Sequence, residues 1–139
     1  MTLRDMARVA EARENWPEAR QYHEESLAIF RELPDPVSVA WSLEALARID
    51  WHDKRLAPAR ALIEEAVSTL RPVGSRVDLA RVLATAGRLA ATAGDLTVAQ
   101  ARLEESLAIA QALNDPTATA QVRRDLAGLP ATQVQRGEA

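Results

Sequence analysis

Glu24-Glu25-Ser26-Leu27-Ala28-Ile29 recurs letter for letter as Glu104-Glu105-Ser106-Leu107-Ala108-Ile109, an offset of 80 in the numbering, and Glu64-Glu65-Ala66-Val67 lies midway. The period is therefore 40. It also relates Ala19, Ala59 and Ala99, then Ala40, Ala80 and Ala120, then the small residues Ala7, Ala47, Gly87 and Ala127. No insertion or deletion interrupts it. A gapless repeat of this length means stacked copies of one supersecondary unit, each covering an apolar face that its neighbour cannot bury alone.

Punctuation divides each unit into two helices. Asp35-Pro36 and Asp115-Pro116 pair a capping carboxylate with a proline at the first helical position, and Ser75 fills the same place in the middle unit. The second break of each unit falls at Asn15-Trp16-Pro17, at Asp53-Lys54-Arg55 and at Gly94-Asp95, where a glycine stop precedes an aspartate cap. Helices are predicted over 2–14, 16–33, 36–52, 56–72, 76–93, 95–113 and 116–128. Apolar spacing agrees: Leu43, Leu46, Ala47 and Ile49 form one helical stripe, and Leu62, Ile63, Ala66, Val67 and Leu70 another. With aromatic content of 4% and a chain rich in alanine, leucine, glutamate and arginine, the composition suits helices and not sheets. Units of about 1–34, 35–74 and 75–114 and a final helix over 115–129 make one domain, 1–129, with a loose tail over 130–139.

The small residues carry a resemblance. Ala7, Ala47, Gly87 and Ala127 late in the first helix, Ala19, Ala59 and Ala99 early in the second, and Ser26, Ala66 and Ser106 two turns on, resemble the pattern of tetratricopeptide repeats. The resemblance implies an all-α fold, a right-handed α-solenoid of antiparallel helix pairs with about three and a half repeats. The unit is longer than the commonest form of that family, which has roughly 34 residues. His23, Ile63 and Leu103 also stand where phenylalanine is common. The phrase from Glu104 to Ile109, with Leu113-Asn114-Asp115 after it, is similar to longer repeats in C-terminal arms of large bacterial signalling ATPases and transcriptional regulators. HEAT and armadillo repeats share the period but not the alanine spacing.

Little here points to catalysis, metal or cofactor. The doublets Glu24-Glu25, Glu64-Glu65 and Glu104-Glu105 suggest paired carboxylates, yet Arg20 and Arg60 lie four residues before Glu24 and Glu64, within helical pairing range, which favours a solvated face. His23 and His52 are the only histidines, and His23 falls on the packed face of its helix. With no phosphate loop, nucleophile elbow or zinc spacing, the expectation is a protein that is not an enzyme. Absence of cysteine excludes thiolate sites and favours a reducing compartment. Charge in the first five residues leaves no apolar leader, so the expected location is cytoplasmic, without membrane contact. Thr2-Leu3-Arg4-Asp5 reads as a capping-box variant, as a natural start would have. A net charge of -3 argues against a nucleic-acid partner.

The resemblance implies a concave groove lined by the first helix of each pair, used to bind a protein or peptide. The inward face collects Arg4, Arg8 and Glu11, then Trp41, Glu44, Arg48, Trp51 and His52, then Arg81 and Arg88, and finally Gln121 and Arg124. Six arginines stand against two glutamates, a mixture suited to an acidic or C-terminal-carboxylate segment. The plainer reading is a ladder of solvated arginines copied by duplication. A second functional reading is the regulatory sensor arm of a larger bacterial signalling protein or transcriptional regulator, answering to a small anionic ligand. Leu3, Met6 and Val9 give the first helix an apolar stripe with no preceding repeat to cover it, so any homodimer is expected to form through the N-terminal repeat.

Overall fold

Each predicted helix forms, with ends within two residues of the expected ones. The computed structural model describes residues 1–130, and among these seven helices and no strands occur. They are α1 (Leu3–Ala12), α2 (Trp16–Glu32), α3 (Pro36–His52), α4 (Leu56–Leu70), α5 (Arg76–Thr92), α6 (Leu96–Ala112) and α7 (Pro116–Ala127). The fold is all-α, of the helical-repeat class. Two compact units are present: Met1–Gly74 holds α1 to α4, and the second, from Ser75, holds α5 to α7. The expected C-terminal tail lies outside the described residues apart from Pro130.

Local chemistry sets the helix ends. Asn15, Asp35, Asp95 and Asp115 each accept a bond from the backbone amide three residues on, and Thr2 with Asp5 closes a full capping box. Ser75 departs from this pattern: its hydroxyl donates to the Asp78 carboxylate and caps no backbone amide. The turn inside each pair repeats with the period. The amides of Asn15, Arg55 and Asp95 donate to the carbonyls of Ala10, Asp50 and Ala90 at 2.9, 2.8 and 2.9 Å, and Asp115 repeats the bond to Ala110 at 3.0 Å. These are the six-to-one bonds of a Schellman stop, which demand a left-handed residue just before. Glu14, Lys54, Gly94 and Asn114 occupy that place with φ of 58°, 61°, 82° and 54°.

The repeat then explains the core. Ala7, Ala19, Ala47, Ala59, Ala99, Ser26, Ala66 and Ser106 are all buried, because they lie where paired helices cross. The Ser106 hydroxyl satisfies itself on the Ala80 carbonyl at 2.8 Å, binding α6 to α5. Between α2 and α3 the tie is ionic: Arg20 meets the buried carboxylate of Asp50 at 2.6 Å and Asp53 at 3.7 Å. This corrects the sequence expectation that Arg20 pairs with Glu24. Asp50 is almost fully buried, so a cation beside it offsets a desolvation cost that an exposed glutamate never incurs.

Gly87 is the tightest crossing. A Cβ there would meet Leu103 Cγ at 2.6 Å and the Ala99 carbonyl oxygen at 3.2 Å, and Leu103 is itself buried. Gly87→Ala is therefore expected to destabilise the chain by about 1–3 kcal/mol despite alanine's better helix propensity. Urea unfolding of the variant against wild type measures it, and an unchanged or raised midpoint would show that α5 and α6 are not in close contact at this point.

Candidate binding face and pocket

In the first unit, α1 and α3 present a cluster of large polar and aromatic groups over the buried His23 of α2. The Arg4 guanidinium lies 3.9 Å above the Trp41 ring, a cation–π stack joining α1 to α3. Trp41 in turn meets the His23 ring edge-on at 5.2 Å. Arg48 reaches Glu11 at 3.4 Å and Glu44 at 3.9 Å while its own side chain stays 47% exposed. Arg8 is exposed on α1. The expected residues Arg4, Trp41, Glu44 and Arg48 are thus brought together. His52 has other neighbours: its ring lies 4.4 Å from that of Trp16, and its Nδ1 is 3.5 Å from Asp53. Trp51 is half-buried.

His23 was read as a packed residue, and it is fully buried. Neither ring nitrogen has a hydrogen-bond partner. Glu11 Oε1 stands 3.4 Å from Nε2, close enough to attract a charged ring though not aligned as a hydrogen bond. Burial pushes the imidazole below its ordinary pKa, with Glu11 opposing and Arg48 reinforcing the shift. Both histidines stand near a carboxylate, His23 near Glu11 and His52 near Asp53. Among the described residues no group of three or more histidines or carboxylates could hold a metal ion.

In the second unit two of the expected arginines have acidic partners, one remote in sequence and one a turn away on the same helix. Arg88 bonds Asp125 of α7 at 3.0 Å, and Arg81 bonds Asp78 at 2.8 Å. Asp78 is held below the usual carboxylate range, first by the Ser75 hydroxyl and then by Arg81. Arg124 donates to Gln121 at 3.0 Å, and Gln121 donates to Asp125 at 3.3 Å. Asp78 and Asp125 offset the positive charge expected from Arg81 and Arg88. Helices α5, α6 and α7 line an open-sided pocket of about 300 Å³, with Ala80 and Ala84 of α5, Ala110 of α6 and Val122 of α7 in its walls and Arg81, Asp115 and Gln121 among its polar lining. Nothing in the sequence alone marked it.

The family model described as Tetratricopeptide repeat matches residues 1–72, just over half of the chain. The chain belongs to the tetratricopeptide repeat family. Its structure is similar to the crystal structure of BtubC (BKLC) from P. vanneervenii, with a TM-score of 0.71 over 87% of this chain and 21% identity. At that identity the likeness is one of fold, and the chain spans about half of that protein, 54%. No curated protein matches the sequence. No helix among the described residues is long and apolar enough to cross a membrane.

His23 makes stability depend on pH. Its folded pKa is depressed below the ordinary 6.5, so the unfolded chain binds the proton more readily. Stability is then complete above the unfolded pKa and falls as pH drops through it toward the folded value. Between pH of about 7.5 and 5.5 the wild-type urea midpoint should fall more steeply than that of His23→Phe. Parallel profiles would mean that His23 has the same pKa folded and unfolded.

Proposed function

We propose that the chain is a protein-interaction scaffold whose first-helix face takes an acidic or C-terminal-carboxylate segment. Repeats of this family generally mediate protein–protein contact. The observation that carries the finer reading is the exposed Arg48 guanidinium, held by two glutamates about two helical turns along α3 from the Arg4–Trp41 stack. Glu11 and Glu44 orient the arginine, and an incoming carboxylate gains a planar fork of donors already held in place. The tryptophan offers rigid apolar area along the same helix. Arg88 fits the role less well, since its contact with Asp125 is closer, 3.0 Å against 3.4 and 3.9 Å at Arg48, and its side chain is less exposed.

The test begins with capture of a partner from native lysate on the immobilised chain, mass spectrometry to identify the bound segment, and calorimetry with that segment. Arg48→Ala should weaken binding by about 1.5–3 kcal/mol, as for a charge-assisted hydrogen bond, and Arg88→Ala by less. Added salt should weaken it further. Equal affinity for wild type and Arg48→Ala rules the role out.

A homodimer through the N-terminal repeat is favoured by one contrast. Val9 is 41% exposed, whereas Ile49 and Leu89, its counterparts one and two repeats on, are fully buried. Leu3 and Met6 are half-buried on the same helix. An apolar residue at a core position without its cover is a candidate for a second copy of the chain. Light scattering is expected to show a dimer that Leu3→Glu with Met6→Glu dissociates; a wild-type monomer at high concentration ends this reading.

A further inference from the structure

The second unit has a pocket at positions where the first unit carries larger side chains. Two repeat periods along the numbering carry α1, α2 and α3 onto α5, α6 and α7. Under that shift Arg4, Phe30 and Trp41 become Ala84, Ala110 and Gln121. In the first unit Trp41 is half-buried between the Arg4 guanidinium and the His23 ring, and Phe30 is half-buried on α2. In the second, all three shortened replacements line the pocket of about 300 Å³. Removing large side chains from a packed site leaves a cavity wherever the surroundings do not collapse. Here the helices keep their repeat arrangement and the space remains.

We propose that this pocket takes one aromatic side chain from a peptide partner, seated as Trp41 is seated in the first unit, with a carboxylate of the same peptide meeting Arg81. The identity of the partner as a peptide rests on the scaffold reading; the aromatic preference rests on the internal repeat. Ala80, Ala84, Ala110 and Val122 give the pocket apolar wall, while Arg81, Arg88, Asp115 and Gln121 supply polar groups, and the volume sits at the small end of ligand pockets, which span roughly 300–1,000 Å³, so a single ring suits it better than a long chain. Charge agrees. In the first unit a cation covers the tryptophan ring, and the corresponding residue in the second is Ala84. Arg81 and Arg88 lie three residues before and four after Ala84, hence on the same helix face, and both line the pocket. Arg88 is committed to Asp125 of α7. The bond from Arg81 to Asp78 is a pair within one helix turn, with the arginine 42% exposed, and a carboxylate next to the incoming ring can join it at low cost.

The experiment uses the full chain, labelled with nitrogen-15, titrated with N-acetyl-tryptophan, its uncharged amide, and N-acetyl-leucine. N-acetyl-tryptophan should shift amides around Ala80, Ala84, Ala110 and Gln121 in a saturable way, the amide form should bind several-fold more weakly, and the leucine derivative more weakly still. Gln121→Trp restores the first-unit residue at an exposed position on α7 and should weaken N-acetyl-tryptophan by about tenfold or more. Ala110→Phe, with its melting curve compared to wild type, gives a second plug from α6. The titration reads the pocket without any captured partner, so its failure is distinguishable from failure of the scaffold reading. The proposal is overturned by absent or unsaturable shifts, by shifts spread over both units, by equal binding of the leucine derivative, or by unaltered affinity in both plugged variants. Concentration-dependent shifts at the same amides without ligand would assign the pocket to a second copy of the chain and also overturn it.

Discussion

Everything in this molecule depends on how closely two antiparallel helices can approach at one small residue. Where Ala7, Ala47 and Gly87 recur, a larger side chain would hold the partner helix off, and the apolar stripes of both helices would face water. At Gly87 the approach is so close that even a methyl group has no room. The hydrophobic effect supplies the drive toward burial, but it is non-directional. Small residues at a fixed interval turn it into a specific register, and repetition of that register produces the fold.

Charged groups then settle into the spaces that this packing leaves. Asp50 is buried and requires Arg20, so that pair belongs to the architecture. Glu11, Glu44 and Arg48 are a different case: the arginine is half exposed, and its glutamates orient it without enclosing it. Residues one period apart need not share a role. Arg48 turns to Glu11 of the preceding first helix, whereas Arg88 turns to Asp125 of the following one, because Asp125 has no acidic counterpart at position 85 or 45.

Duplication supplied matching backbones, and substitution made the two units chemically unlike. The first carries half-buried Phe30 and Trp41, the latter against Arg4 and His23, where Ala110 and Gln121 line a pocket in the second. His23, whose ring nitrogens make no hydrogen bond, has Ile63 and Leu103 as its repeat counterparts. It accepts the cost of a buried polar group in a position that elsewhere is apolar.

By itself the sequence determined the helical-repeat class, the helix ends and the small-residue crossings. These were legible because caps, αL stops and stripes at the helical period act over short stretches of chain, and because the repeat restates each signal. Only the tertiary structure decided that Arg20 joins Asp50 and not Glu24, that Asp125 engages Arg88, that His52 lies against Trp16, and that three shortened side chains leave a pocket. Long charged side chains choose among all acids within a few ångströms, and a cavity exists only when walls from separate helices converge. Both depend on which helices are neighbours in space, a relation that sequence separation does not encode.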